Sequence, residues 1–484
     1  MKKIVYTLLF LSTFFIHAQI DRSKQPKPGP APEINLGKPQ TFTLRNGLKV
    51  LVVENHKLPR VSFNLTIDNP PVLERNKAGV ATLVGSLLGK GSKKIAKDDF
   101  YEEVDYLGAS INFSSRGAFA SGLSKYAKRI IELMADAALH PNFTQEEFDK
   151  EKKILLDNLK SQEKSVTTAA RRVERVLAYG KNHPYGEYTT PESVNTVTLS
   201  DIEIFYANYF VPGKAYLVVI GDVNFEDVKK QITQNFELWK KSFPPTYSLA
   251  KPLDAYYTQI NFVDMPNAVQ SEIAVQNLMN LKMTDSDYFP VLLANKILGG
   301  GADARLFLNL REDKGYTYGA YSGIGTDKYA PSRFRASASV RNAVTDSAVV
   351  AFLTEINRIG NELVSPEELA SAKAKYTGDF VLALERPETI ARYALNIETE
   401  NLSDNFYQTY LERINAVTAE QIQAAAKKYF KAKKLRIVVT GKGSEVLENL
   451  EKVSFNGRKI PIKYFDKYGK KAAKPKYEVN VSGN

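Results

Sequence analysis

An arginine and a tyrosine seven positions apart, Arg311 and Tyr318, have side chains suited to acyl-transfer chemistry. A guanidinium presents a planar fork of donors to a carbonyl or carboxylate group. A phenol can donate to the oxygen that becomes an oxyanion when a peptide bond is attacked. Taken without their surroundings, the two residues have a structural alternative, in which the arginine is buried against a carboxylate and the tyrosine lies in the core.

The chain offers little for metal or thiol chemistry. It contains no Cys, which excludes thiolate ligands, thiol nucleophiles and disulfides. Its four His are His17, His56, His140 and His183, and no two of them form the i,i+4 pair of a zinc-binding helix. Unless three isolated His converge in space, we expect this chain to bind no cofactor.

The elements that position Arg311 and Tyr318 belong to a sequence that repeats itself at a spacing of 220 residues. A repeat this long indicates two homologous domains and excludes a solenoid. Helical and strand patterns are mixed without strict alternation, so we predict an α+β fold of two layered sandwich domains, at residues 40–243 and 255–445. The repeated positions include Asn195 and Asn415, Ile202 and Ile422, Tyr209 and Tyr429, Phe210 and Phe430, and Gly221 and Gly441.

Hydrophobic periodicity predicts the main elements of both copies. Thr198 and Thr418 are expected to be helix N-caps, and Gln421 to complete a capping box with Thr418. The predicted strands are residues 49–53, 61–67, 215–220 and 435–439, and the predicted helices are residues 128–138, 145–161 and 366–385.

The N-terminal residues have the pattern of a secretory signal peptide. Lys2 and Lys3 precede an apolar stretch at residues 4–16, which is too short to span a membrane, and no Cys follows for a lipid anchor. We therefore expect a signal peptide at residues 1–19, export to the periplasm and no membrane span. Residues 20–39, which are rich in Pro and Lys, are predicted to be a linker.

The net charge of +12 is concentrated at the C-terminal end. Residues 446–484 form a basic tail, which we expect to be a solvated extension or an arm that docks on a partner. Because a secreted protein rarely meets nucleic acid, no nucleic-acid partner is expected.

Three segments in a fixed order carry a family pattern. Residues 42–50 are F-T-L-R-N-G-L-K-V, residues 77–92 are K-A-G-V-A-T-L-V-G-S-L-L-G-K-G-S, and residues 299–318 contain G-G-G, R-L-F, L-R and Y-T-Y. Together they resemble the insulinase/pitrilysin family of inverted-motif (H-x-x-E-H) zinc peptidases, which includes mitochondrial processing peptidase and two-subunit bacterial peptidases. The resemblance covers about residues 40–445 and implies the two-domain metallopeptidase fold.

The zinc-binding helix of that family has lost its functional residues here. By the resemblance, Thr82 and Ser86 stand in place of the two His ligands, Gly85 in place of the general-base Glu, and Asn158 in place of the third ligand, while Glu151 keeps a supporting acidic position. A hydroxyl group or a hydrogen atom does not hold zinc as an imidazole or carboxylate does. These positions are therefore expected not to be metal ligands.

Two further parts of the pattern are retained. Arg311 and Tyr318 match an Arg/Tyr pair that faces the zinc ion in active relatives, so the resemblance implies a catalytic role for them. Asn112, in the segment G-A-S-I-N-F, matches a strand that pairs with the substrate backbone, as an edge strand can by β-augmentation. An ordinary strand with a polar outer face is the alternative for Asn112.

The resemblance thus implies a non-catalytic, substrate-positioning subunit of a secreted heteromeric zinc peptidase that degrades peptides. The chain would be inactive alone, and zinc would be bound by a paralogous partner that carries H-x-x-E-H. A hetero-oligomer is expected rather than a homodimer. The alternative is a catalytically dead peptide-binding or scaffold protein of the cell envelope.

Overall fold

The structure is a computed structural model that describes residues 39–477. The expected signal peptide and nearly all of the expected linker lie outside the described residues. None of the helices within residues 39–477 combines the length and the hydropathy that a membrane span requires.

The first repeat forms a six-stranded mixed sheet covered by helices. Its strands are β1 (Gln40–Thr43), β2 (Lys49–Glu54), β3 (Arg60–Ile67), β4 (Ser110–Ser114), β5 (Gly117–Leu123) and β6 (Ala215–Gly221). Its helices are α1 (Val80–Leu87), α2 (Lys97–Tyr106), α3 (Ala127–Leu139), α4 (Gln145–Ser161), α5 (Val166–Tyr179), α6 (Pro191–Thr196), α7 (Leu199–Tyr209) and α8 (Phe225–Phe236). The strand order is β1-β2-β6-β3-β5-β4, in which β2 and β6 are parallel and the other neighbours antiparallel.

The second repeat forms a sheet of the same design. Its strands are β7 (Gln259–Asp264), β8 (Gln270–Met279), β9 (Thr317–Ile324), β10 (Ser332–Arg341), β11 (Arg436–Gly441) and β14 (Ile462–Phe465), with a small hairpin of β12 (Ser454–Phe455) and β13 (Arg458–Lys459) before β14. Its helices are α9 (Tyr288–Gly299), α10 (Arg305–Phe307), α11 (Thr345–Asn361), α12 (Pro366–Leu384), α13 (Pro387–Thr399), α14 (Tyr410–Ala416), α15 (Ala419–Tyr429) and α16 (Gly443–Leu450). The order β14-β7-β11-β8-β10-β9 repeats that of the first sheet.

The period-two and period-3.6 patterns explain why these elements form. In β3, Val61, Phe63, Leu65 and Ile67 alternate into the core, where they meet helix residues such as Ile130 of α3. The predicted strands and helices are confirmed with shifts of one or two residues at their ends, and the predicted fold class is confirmed. Thr198 and Thr418 cap α7 and α15, and Gln421 completes the capping box, as expected.

One helix of each repeat packs on the sheet of the other repeat. Helix α5 packs on β8 and β11, and its Ala169 and Val173 join a core cluster with Val263 and Val438. Helix α13, which occupies the equivalent place in the 220-residue repeat, packs on β2 and β6 through Ala391. This exchange ties the two repeats together through apolar contacts.

The basic tail is part of the second sheet. Strand β14 pairs in parallel with β7, at the edge position that β1 occupies in the first sheet, and Phe465 is buried. The expectation of a solvated extension is therefore wrong for this part of the tail, and the second sheet runs past the predicted boundary at residue 445. The physical reason is that β7 has no preceding hairpin strand, so its edge is covered by the chain that follows.

Candidate functional site

The four degenerate positions of the metal site lie on two helices that pack against each other. Helix α1 carries Thr82, Gly85 and Ser86, and helix α4 carries Asn158. Thr82 and Asn158 are exposed, whereas Gly85 and Ser86 are half-buried. The two helices that carry these positions are therefore in contact, and the side chains at the four positions are poor zinc ligands.

These residues do not fit a zinc ion. A Cβ atom at Gly85 would lie 3.1 Å from the backbone nitrogen of Ser115 and 3.2 Å from Cα of Ser114, so any side chain here requires the β4–β5 turn to move by a few tenths of an ångström. The supporting carboxylate of Glu151 is 3.0 Å from Nζ of Lys90. Burial acts to lower the pKa of Lys90, but the hydrogen bond to Glu151 acts in the opposite direction, and the pKa of Lys90 is raised overall. Across residues 39–477, no group of three or more His, Asp or Glu side chains could hold a metal ion.

Arg311 and Tyr318 are neighbours in space. Arg311 donates from one guanidinium nitrogen to the backbone carbonyl of Tyr318 over 2.7 Å and from Nε to Glu312 over 3.0 Å. Its guanidinium lies over the ring of Phe307, 5.2 Å from the centroid. The Arg311 side chain is 43% exposed and Tyr318 is 85% exposed. Both groups are therefore open to a ligand, with the guanidinium held in place and the phenol free.

Two irregularities of the backbone, a π-helical turn and a β-bulge, position Arg311 and Tyr318 at the surface. Residues Leu308–Asp313, which carry Arg311, form a π-helical turn that continues α10, and such turns are frequent at functional sites. The pairing of β9 with β10 passes from Ala320↔Ala338 to Thr317↔Val340, so β9 holds one extra residue around Tyr318. Because such a bulge reverses the alternation of side chains, Tyr318 faces solvent although Ala320, two positions on, is buried.

The structural alternative for the pair does not describe these residues. The buried arginine of this segment is Arg305, which donates to both carboxylate oxygens of Glu368 over 2.7 and 2.6 Å. Arg311 has no such buried partner, and Tyr318 is not in the core.

Asn112 lies on the exposed side of β4, the edge strand of the first sheet. Its amide nitrogen donates to the Ser110 hydroxyl over 3.0 Å. Because β4 is the last strand of this sheet, its outer edge pairs with no other strand of the described residues.

A cavity between the two repeats was not anticipated from the sequence. We call it the inter-repeat cavity; it is a broad depression that is open to solvent, with a volume of about 720 Å³. It is lined by the residues that follow: Tyr179, Tyr185, residues 321–327, Ser332, Arg333, Arg335 and Ser337. The sequence does contain a signal for this cavity, since Arg333, Arg335 and Ser337 alternate along β10. They give the strand one polar face, while its other face packs in the core.

Ion pairs from α5 border the inter-repeat cavity. Glu174, 2% exposed, accepts two hydrogen bonds from Arg335 over 2.6 and 3.1 Å and lies 3.6 Å from Arg333. The hydroxyl of Tyr185 donates to Asp327, and burial, reinforced by that acceptor, raises the pKa of Tyr185.

His183 is the fully buried histidine of the described residues. Its Nδ1 accepts a hydrogen bond from the backbone of Tyr185, and its ring stacks on Tyr179. Burial lowers the pKa of His183. His56 and His140 each contact a carboxylate near the surface, so the three His do not converge.

The fold and the site together define a two-repeat peptidase-like protein whose metal-binding helix lacks its ligands. Two family models match the chain: the insulinase (peptidase family M16) model over residues 49–187, and the peptidase M16 inactive domain model over residues 196–376. The chain belongs to the insulinase, or M16, peptidase family.

Relatives and solved structures agree with this assignment. An uncharacterized zinc protease of Bacillus subtilis is 21% identical over 80% of this chain and 95% of its own length. A protein of Helicobacter pylori described as a non-peptidase homolog is 24% identical over 78% of this chain and 88% of its own length. The crystal structure of a peptidase M16 inactive domain from Pseudomonas fluorescens has a TM-score of 0.74 and 24% identity, covering 83% of this chain and 97% of that one. A Helicobacter pylori protease structure has a TM-score of 0.71 and 21% identity over 83% and 99% of the two chains.

Proposed function

We propose that this chain is the non-catalytic, substrate-positioning subunit of a secreted, periplasmic, heteromeric zinc peptidase that degrades peptides. A paralogous partner with an intact H-x-x-E-H helix supplies the zinc ion, its bound water and the general base. This chain contributes Arg311 and Tyr318 to the peptide bound between the subunits.

One contrast carries the proposal. The metal half of the site is dismantled, since Gly85 faces the β4–β5 backbone and Glu151 is paired with Lys90. The other half is built and open, since Arg311 is oriented by the carbonyl of Tyr318 and both side chains reach solvent. A π-helical turn and a β-bulge, both of which are frequent beside functional sites, expose this pair.

The role of each side chain follows from its chemistry. The guanidinium of Arg311 donates to the carbonyl of Tyr318 and from Nε to Glu312, and it keeps its remaining donors for a peptide carbonyl or carboxylate. The phenol of Tyr318 donates to the oxygen on which negative charge develops. The open edge of β4 at Asn112 offers main-chain pairing to an extended peptide, which gives little sequence preference.

The test compares hydrolysis of a quenched fluorescent peptide by this chain, by the zinc-bearing paralogue and by their mixture. We expect activity in the mixture alone. Tyr318→Phe in the mixture should lower kcat about 100-fold with little change in KM, as expected for a lost oxyanion donor. Tyr106→Phe, an 81% exposed tyrosine on α2, is the matched control and should leave kcat unchanged.

Equal activity of the paralogue alone and of the mixture would contradict the proposal. The chain would then be a catalytically dead peptide-binding or scaffold protein of the envelope. Size-exclusion chromatography of each variant with the paralogue separates a loss of chemistry from a loss of assembly.

A further inference from the structure

The inter-repeat cavity contains an arginine that is only partly satisfied by the protein. We propose that this cavity binds a carboxylate group of a peptide ligand, with Arg333 as its principal anchor. The inference rests on the proposed function, since it describes the peptide that the chain would position. It concerns a different site from Arg311 and Tyr318.

Arg333 has donors to spare. Its guanidinium donates to Oε1 of Gln276 over 3.0 Å and also lies within reach of the Tyr179 hydroxyl, and further N–H donors remain for a ligand. The nearest carboxylate, Glu174, lies 3.6 Å away and already accepts two bonds from Arg335. A guanidinium has five N–H donors in a planar fork, and a carboxylate matches that fork with two parallel hydrogen bonds.

Burial makes an incoming anion favourable. Desolvation lowers the pKa of Arg333, which means that the protein only partly stabilises this cation. The acid of the cavity lining, Asp327, accepts from the Tyr185 hydroxyl and from the backbone nitrogens of Tyr329 and Ala330. These neutral donors offset part of the negative charge of Asp327, and a ligand carboxylate would complete the coordination of Arg333.

The remaining lining fits a peptide. The rings of Tyr179, Tyr185 and Tyr321 supply apolar surface, and the volume of about 720 Å³ lies within the range of about 300–1,000 Å³ usual for ligand sites. Tyr321 also packs against Phe307, whose ring lies under the guanidinium of Arg311. The two sites are thus linked through one side chain.

Strand β9 sets the spacing between the two sites. Tyr318 lies near its start and Ile324, at its end, lines the cavity. At about 3.3 Å per residue, an extended peptide that reaches both is held over about 20 Å, or about six residues. The ligand class is therefore a short, extended peptide with a carboxylate at or near one end.

The test measures binding by fluorescence anisotropy to the full chain, with a labelled peptide that has no internal acidic residue. Three forms are compared: the free C-terminal acid, the C-terminal amide, and an amide whose last residue is Glu. We expect the free acid to bind about 10- to 100-fold more tightly than the plain amide, the range for a charge-assisted hydrogen bond. Tight binding of the Glu form identifies an acidic side chain as a sufficient source of the carboxylate, and weak binding identifies the C-terminus.

Variants assign the effect to Arg333. Arg333→Gln should remove the difference between acid and amide, and Arg333→Lys should restore it in part, because the charge returns without the fork. Arg341→Gln, at the exposed end of the same strand, should keep the full difference. The wild-type comparison needs no variant, so it stays decisive if Arg333→Gln is unstable.

Two outcomes would overturn the inference. Equal affinity of the wild-type chain for all three peptides refutes the carboxylate anchor and leaves the proposed function intact. No binding of any form to this chain alone also refutes the carboxylate anchor, whereas the proposed function, in which the peptide lies between two subunits, is decided by the hydrolysis assay of the mixture.

Discussion

Replacing Glu174 tests the way in which the two repeats are joined. This carboxylate is buried on α5 of the first repeat, yet its hydrogen-bonding partners lie on β10 of the second. Glu174→Ala removes the two hydrogen bonds that Arg335 donates, at 2.6 and 3.1 Å. It also removes the carboxylate that forms an ion pair with Arg333 at 3.6 Å. It leaves two arginines on the same face of β10 without this anion.

The size of the effect follows from these contacts. Each hydrogen bond between charged groups contributes about 1.5–3 kcal/mol, and breaking a buried ion pair by removing one partner costs about 3–5 kcal/mol. We expect Glu174→Ala to lower the free energy of unfolding by about 3–5 kcal/mol, at the upper end because two cations lose one anion. Glu174→Gln, which keeps an acceptor oxygen but no charge, should lower it by about 2 kcal/mol.

The assay is urea unfolding followed by two signals. Trp239, the single tryptophan, packs on Phe210 and Phe236 and reports the first repeat, whereas circular dichroism reports the whole chain. The two transitions should coincide in the wild type and separate in Glu174→Ala, since the first repeat loses its polar tie to the second.

The control is an ion pair of the same chemistry on the surface. Glu362 accepts from Arg358 over 3.0 Å, with side chains 61% and 47% exposed. Glu362→Gln should change stability by less than about 0.5 kcal/mol. A Glu174→Ala variant that unfolds within about 1 kcal/mol of the wild type would refute the reasoning, because it would show that Arg333 and Arg335 do not depend on this carboxylate.

Three further predictions concern the lost metal site, a buried histidine and the tail. The triple variant Thr82→His, Ser86→His and Asn158→Glu, with Gly85 kept, should retain zinc through dialysis, and a triple variant without zinc would contradict this. Adding Gly85→Glu to it should lower the thermal stability, because a side chain at this position crowds the β4–β5 backbone. Burial lowers the pKa of His183 below its usual 6.5, so the unfolded chain alone takes up this proton and stability should fall as pH drops below about 6.5. Urea unfolding at pH 7 and pH 5 should show a smaller loss for His183→Gln than for the wild type, and an unchanged loss for His140→Gln, whose side chain is 50% exposed. Truncation after Glu451 removes β14, uncovers the edge of β7 and should produce oligomers in size-exclusion chromatography, whereas a monodisperse product would count against the role assigned to β14.

Local sequence was sufficient for the elements and for the loss of the metal ligands. Helix α4 was predicted with its observed bounds, Gln145–Ser161, because its cap and its periodicity are both local signals. The repeat at 220 residues predicted two equivalent domains, and five strands of each sheet occupy equivalent places, whereas the edge strand β14 comes from the tail and pairs in parallel where β1 pairs antiparallel. The absence of imidazole and carboxylate from α1 follows from residue types alone.

The bulge at Tyr318 shows where local reasoning stops. Two-residue alternation from the buried Ala320 places Tyr318 in the core, and only the register with β10 reveals the extra residue that turns it outward. Likewise, α5 is amphipathic in sequence, but nothing in its own residues states which sheet its apolar side covers.

What the sequence by itself determined, then, is a twice-repeated α+β chain of the insulinase type without the residues that bind zinc. The tertiary structure alone decided that α5 and α13 cross between the repeats, that the tail closes the second sheet, and that Glu174, Arg333 and Arg335 meet beside a cavity. The physical reason is that composition and periodicity record which face of an element is apolar. Which partner covers that face, and which polar groups the covering brings together, depends on contacts between residues more than 100 positions apart, such as Glu174 and Arg335.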